Sequence, residues 1–131
     1  MSSKQIQSIK GTHDILPDQS WKWRQLETSL HNFMALYGYS EIRTPAFEET
    51  ELFSRSVGED TDIVSKEMYS WTDQSGENLT LKPELTAPVV RSFIQNNLGG
   101  QSPINKLYYI DALFRRERPQ KGRYRQFHQF G

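Results

Sequence analysis

KLYYIDALFRRERPQKGRYRQFHQFG, residues 106–131, is the stretch on which the fold turns. KLYYIDALF (106–114) is nearly continuous apolar and aromatic, which predicts a central strand. RYRQFHQFG (123–131) alternates like a returning strand, and PQKG between them has turn composition. Together they predict a long antiparallel hairpin. Its middle, FRRERPQKGRYRQF (114–127), sets Arg115, Arg116, Arg118, Lys121, Arg123 and Arg125 against one acid, Glu117. The chain holds 16 basic and 16 acidic residues, so this segment carries +5 and the remaining 117 residues −5.

Three uses of such a hairpin compete. A solvated, charged hairpin end is the plainest, but it explains poorly why Phe114, Tyr124 and Phe127 are threaded among the cations. An RNA-binding arm would take phosphates on the cations and stack bases on the rings. A nucleotide site would grip a phosphate in an arginine fork and cover the base with a ring. Arg115 follows directly on the apolar strand, a fixed position from which a side chain can be aimed. Arg118, Lys121 and Arg123 belong to the loop, so the base can serve a nucleotide while the tip serves RNA.

Composition narrows the setting. At 131 residues the chain is one domain or part of one. Hydrophobic content of 35% is low for a self-contained core, which suggests burial against a partner or against further sequence. Aromatic content of 12% argues against disorder. With no cysteine, disulfides and thiolate metal sites are excluded and a reducing compartment is natural. His13, His31 and His128 are far apart in sequence, so no metal site is expected. The N-terminus has no apolar signal region and no run reaches spanning length, so no membrane partner and a cytoplasmic location are expected. Zero net charge argues against broad, non-specific nucleic-acid binding.

Upstream, Asp18 after Pro17 is the expected N-cap of a helix over 18–37, with Trp23, Leu26, Leu30, Phe33, Met34 and Tyr37 on one face and Gly38 as its stop. EIRTP (41–45) reads as a short strand cut off by Pro45. A short helix is expected over 47–56. A polar loop then leads to a strand from about Lys66 to Trp71. DQSGEN (73–78) is a turn, with LTLK (79–82) as the partner strand of a hairpin. Thr86 is the expected cap of the next helix, with Pro88 in its first turn and Gly99-Gly100 as its stop. Asp111, an acid within an apolar strand, is either functional or paired with an arginine. A chain ending at Gly131, in or just after an interior strand, is expected to be a fragment of a longer one.

FRRERPQKGRYRQFHQFG resembles motif 2 of the class II aminoacyl-tRNA synthetases, in the form typical of the histidyl-tRNA synthetase family. KGTHDILP (10–17) resembles that family's N-terminal segment, and YGYSEIRTP (37–45) its motif 1, the dimer-interface element ending in proline, here Pro45. LFSRSVGEDTDIVSKEMYSW (52–71) with LTLKPELTAP (79–88) resembles the segment leading into the histidine pocket. The resemblance covers essentially the whole chain in the family's order, with motif 1 at about 18–45 and motif 2 at about 106–131.

The resemblance implies an α+β catalytic domain, an antiparallel sheet flanked by helices, and a homodimer. It implies ATP-dependent ligation of histidine to its tRNA through a histidyl-adenylate, with ATP and Mg²⁺ required. By the same token Arg115 holds the ATP α-phosphate and the histidine carboxylate, Glu117 orients the adenine end, Phe127 stacks on it, and Arg123 belongs to the ATP site. Glu84 and Thr86 take the substrate α-amino group, with Leu85 between them at the pocket edge where many bacterial members have glycine. Gln129 lines the histidine pocket. Arg118, Lys121 and Arg123 contact tRNA. Motif 3, with its second ATP-binding arginine, and the anticodon-binding domain are not among these residues, so the 131 residues alone are expected to be inactive. A catalytically silent relative, the regulatory subunit of ATP phosphoribosyltransferase, shares the fold; the intact Arg115, Glu117 and Arg123 favour the enzyme over it.

Overall fold

Residues 3–57 and 67–131 are described by a computed structural model. Helix α1 runs Pro17–Leu36. Pro17 opens it, where a missing N–H costs nothing. The expected Asp18 cap is not made: the N-cap is Leu16, and Asp18 lies inside the first turn, its carbonyl accepting the Trp21 indole N–H at 3.0 Å. The expected stop at Gly38 is seen. Gly38 has φ 74, its N–H donates to the Ala35 carbonyl, and the Tyr39 N–H donates to that of Met34, so a left-handed residue closes two orphan carbonyls. Of the apolar stripe only Met34 is buried.

Strand β1 (Ser40–Glu41) pairs in parallel with β5 (Leu107–Tyr108). It is shorter than the expected 41–45. One further ladder bond, Ile42 N–H to the Tyr108 carbonyl, follows, after which Tyr109 leaves to exchange both backbone bonds with Gly131. The strand therefore ends for want of a partner, ahead of Pro45. The stretch expected as a helix over 47–56 is divided: β2 (Phe47–Glu49) precedes helix α2 (Thr50–Val57). β2 forms because it pairs antiparallel with β4 (Asn78–Leu81), a long-range bond that no local pattern shows. β3 (Ser70–Thr72) lies on the other side of β4, so the expected hairpin is part of a three-stranded sheet ordered β2-β4-β3. The loop expected ahead of β3 falls largely at 58–66, outside the described residues.

Helix α3 (Thr86–Gln95) stops at Asn96, before a left-handed Asn97 with φ 50. The glycines expected to stop it lie instead inside α4 (Leu98–Gln101), a single separate turn. The expected continuous strand over 106–114 breaks at Tyr109 into β5 and β6 (Ile110–Phe114). β6 pairs antiparallel with β7 (Gln126–Phe130), as the alternation predicts.

The core is divided between these layers. Phe53, Met68 and Ala87 pack together with Leu52 against them, fixing α2 on α3. Leu113 is fully buried on β6, and Tyr108 nearly so on β5. Thr80, buried at the centre of the three-stranded sheet, is satisfied by the hydroxyls of Thr50 at 2.8 Å and Ser70 at 2.7 Å. Among the described residues no helix is long and apolar enough to cross a membrane.

Candidate active site

The β6–β7 register decides which side chains share a face. Asp111 pairs with Gln129, Leu113 with Phe127, and the ladder continues with the Arg115 N–H bonded to the Arg125 carbonyl at 2.9 Å. Because strand side chains alternate, Asp111, Leu113 and Arg115 project on the same side as Gln129 and Phe127. Three of the expected site residues, Arg115, Phe127 and Gln129, are thereby brought onto one face of one hairpin. The hairpin closes through Gln120–Arg123, with the Arg123 N–H on the Gln120 carbonyl at 2.9 Å. Gly122 has φ 80, the left-handed backbone that this turn requires of its third residue.

Arg115 is held from two sides. Its Nε–H donates to the Pro83 carbonyl at 2.9 Å, and its guanidinium lies 5.4 Å from the centre of the Phe127 ring. Among the described residues its two outer nitrogens have no partner. A guanidinium tethered through Nε presents those nitrogens as a fork suited to a carboxylate or phosphate.

Glu84 follows Pro83 directly in sequence. The Glu84 carboxylate accepts the Thr86 N–H at 2.8 Å on Oε2 and the Ala87 N–H at 2.9 Å on Oε1. It caps α3, and the expected cap Thr86 is instead the first helical residue, with N-cap Leu85 in helical backbone. The reason is reach: with Leu85 already helical, the acid before it meets both orphan N–H groups. A carboxylate has about four lone-pair sites, so the two bonds leave capacity for a further donor. Leu85 is buried, at 2% exposure, while the Thr86 side chain is exposed.

Glu117, Arg123 and Phe127 line one open concavity of about 460 Å³ with Glu67, Gly122 and Tyr124. Arg118 and Lys121 are exposed at the hairpin tip. Pro45 is exposed between β1 and β2, lining a different depression with Glu48 and Arg91.

A family model described as histidyl-tRNA synthetase matches residues 11–131. The chain belongs to the histidyl-tRNA synthetase family. Among curated relatives, the histidine–tRNA ligase of Syntrophotalea carbinolica is 58% identical over 96% of this chain, and that of Pelodictyon phaeoclathratiforme 56% identical over 97%. The chain spans about 30% of the length of each. The apo crystal structure of Staphylococcus aureus histidyl-tRNA synthetase superposes with a TM-score of 0.76 at 42% identity, over 96% of this chain and 28% of that one. A Bacillus halodurans structure described as an ATP phosphoribosyltransferase regulatory subunit/histidyl-tRNA synthetase gives a TM-score of 0.77 over 98% of this chain, but at 24% identity it bears on the fold alone.

The fold is thus of the expected α+β class, its strands among the described residues divided over three small sheets, of which the β1–β5 pair is parallel and the others antiparallel. What sequence reasoning missed is Lys82. Its side chain is buried and its ammonium donates to Asp111 Oδ2 at 2.5 Å. Asp111 stood out as an acid in an apolar strand, but its partner is this lysine, not an arginine. Arg43 has its pKa raised by its side-chain hydrogen bond to Glu41 and by that carboxylate's charge, with a smaller contribution from the charge of Asp111.

Proposed function

We propose that this chain forms one wall of the adenylation site of a histidine–tRNA ligase. The observation that carries the reading is Arg115: anchored through Nε on the Pro83 carbonyl, backed by Phe127, and with its outer nitrogens unpartnered among the described residues. In the reaction a histidine carboxylate oxygen attacks the α-phosphorus of ATP, and the bond to the bridging oxygen of pyrophosphate breaks. Negative charge gathers on the α-phosphate oxygens and is relieved by a fork that needs no reorganisation. Glu84 offers its remaining lone pairs to the substrate ammonium, beside Leu85 and Thr86. Glu117, Phe127 and Arg123 receive the adenine end in the concavity they line, Gln129 borders the histidine side, and Arg118, Lys121 and Arg123 meet the tRNA. Mg²⁺ enters as the ion carried by the ATP phosphates. A ribose hydroxyl of the tRNA 3′ adenosine then attacks the adenylate's acyl carbon, the acyl–phosphate bond breaks, and AMP leaves. The cytoplasm, where those substrates occur, is the proposed location. In this reading motif 1 spans about 18–45 and motif 2 about 106–131.

The test is ATP–pyrophosphate exchange. The chain by itself should show no histidine-dependent exchange, because in the resembled family the other wall comes from later sequence. Joined to the remaining length of the Syntrophotalea ligase it should show exchange that depends on histidine, with the natural ligase as control. A silent chimera beside an active control would remove the proposal.

The same reading includes a homodimer through the 18–45 region and Pro45. On α1, Trp21 is 56%, Leu26 58% and Leu36 84% exposed, more apolar surface than a solvated helix needs. Sedimentation equilibrium over a wide concentration range should find the dimer as the smallest stable species. A monomer throughout would count against pairing by this region alone.

A further inference from the structure

We propose that Lys82, with Asp111, is a positioning residue for adenylation: an ion pair between a buried ammonium and a partly exposed carboxylate that sets the register of the two segments bearing Glu84 and Arg115. This rests on the adenylation reading above and names a residue which that reading does not use.

The Lys82 side chain is only 2% exposed. Its three N–H groups face three acceptors: Asp111 Oδ2 at 2.5 Å, the Thr44 carbonyl at 3.3 Å and Thr44 Oγ1 at 3.4 Å. The other Asp111 oxygen is fixed by the Ala112 N–H at 2.8 Å. Around this pair the backbone of Lys82 is tied twice, its N–H to the Ala46 carbonyl at 3.0 Å and its carbonyl to the Phe114 N–H at 3.0 Å. The next residue, Pro83, supplies the carbonyl that holds Arg115, and the one after it is Glu84.

An ion pair that buries one of its charges is a weak way to gain stability, because desolvating the Lys82 ammonium offsets much of the attraction to the 35% exposed Asp111. Its physical consequence is register. If β6 slipped by one residue past 82–84, Asp111 would turn to the opposite face and leave the ammonium unpaired in the interior. The Pro83–Arg115 bond would be lost with it. The pair thereby penalises the arrangements in which the arginine fork and the glutamate no longer face one substrate. Thr44 adds a third segment, the one leading to Pro45, to the same knot.

The experiment uses the chimera with the Syntrophotalea ligase and two variants, Asp111→Asn and the double Lys82→Met/Asp111→Asn. The double variant removes both charges, so no ion is stranded. Folding is followed by thermal melting, and kcat and KM by histidine-dependent exchange. For a folded variant the expected result is a kcat lower by about tenfold or more with the ATP KM within about threefold, the signature of a contact realised in the transition state. A folded variant with kcat within about twofold of the parent overturns the proposal. If neither variant folds, the pair is a stabiliser and the proposal is likewise overturned. A parent chimera without histidine-dependent exchange, beside an active natural ligase, instead refutes the adenylation reading itself.

Discussion

Replacing Arg115 by alanine should lower the exchange rate of the chimera by about 10²–10³-fold, the usual effect of losing one preorganised donor at developing charge. The loss should appear in kcat more than in the histidine KM, because the contact strengthens as the α-phosphate gains charge. Folding should survive, since the side chain is only half-buried and its one hydrogen bond is to a carbonyl, that of Pro83. Arg115→Lys is the sharper variant. An ammonium keeps the charge but cannot hold the Pro83 carbonyl through Nε and still present a planar fork. It should therefore recover only part of the rate. Turnover at the parent level with lysine would show that a point charge suffices and that the fork geometry is irrelevant.

The position of Arg115 was legible because it depends on local pattern. An apolar run, a turn with glycine and an alternating run specify a hairpin and put Arg115 at its fixed base, whereas Phe127 and Gln129 were named through the family resemblance and only the strand register puts them on its face. The Gly38 stop was legible for the same reason: only residues 34–39 take part in it. Elements made by distant partners were not. β2 is three residues long and exists through β4, and the strand expected at 41–45 takes its actual bounds, Ser40–Glu41, from β5, more than sixty residues away. Capping at α3 turned on backbone detail: the helical conformation of Leu85 passes the role from Thr86 to Glu84. Asp111 advertised itself as anomalous, but only the fold shows that Lys82, twenty-nine residues earlier, meets it.

Glu84 carries a structural and a proposed chemical duty at once, and two substitutions separate them. Its carboxylate caps two N–H groups of α3, and its remaining lone pairs are proposed to accept the substrate ammonium. Glu84→Ala removes both. It should cost about 0.5–2 kcal/mol of stability, as loss of a helix cap does. It should also raise the histidine KM of the chimera. Glu84→Gln keeps one carbonyl oxygen for the cap while its amide carries no charge, so stability should fall by less than with alanine. The charge-assisted bond to the ammonium is lost in both. A hydrogen bond to a charged group contributes about 1.5–3 kcal/mol, which corresponds to a histidine KM raised by about 10- to 100-fold. The ammonium is equally charged in the ground and transition states, so the effect should fall on KM and spare kcat, opposite to Arg115. Measured side by side, the two residues should thus split: kcat for the arginine, KM for the glutamate. A glutamine variant that binds histidine as well as the parent, while melting lower, would leave Glu84 as a helix cap alone. The ammonium would then have to be received by another group on the same wall.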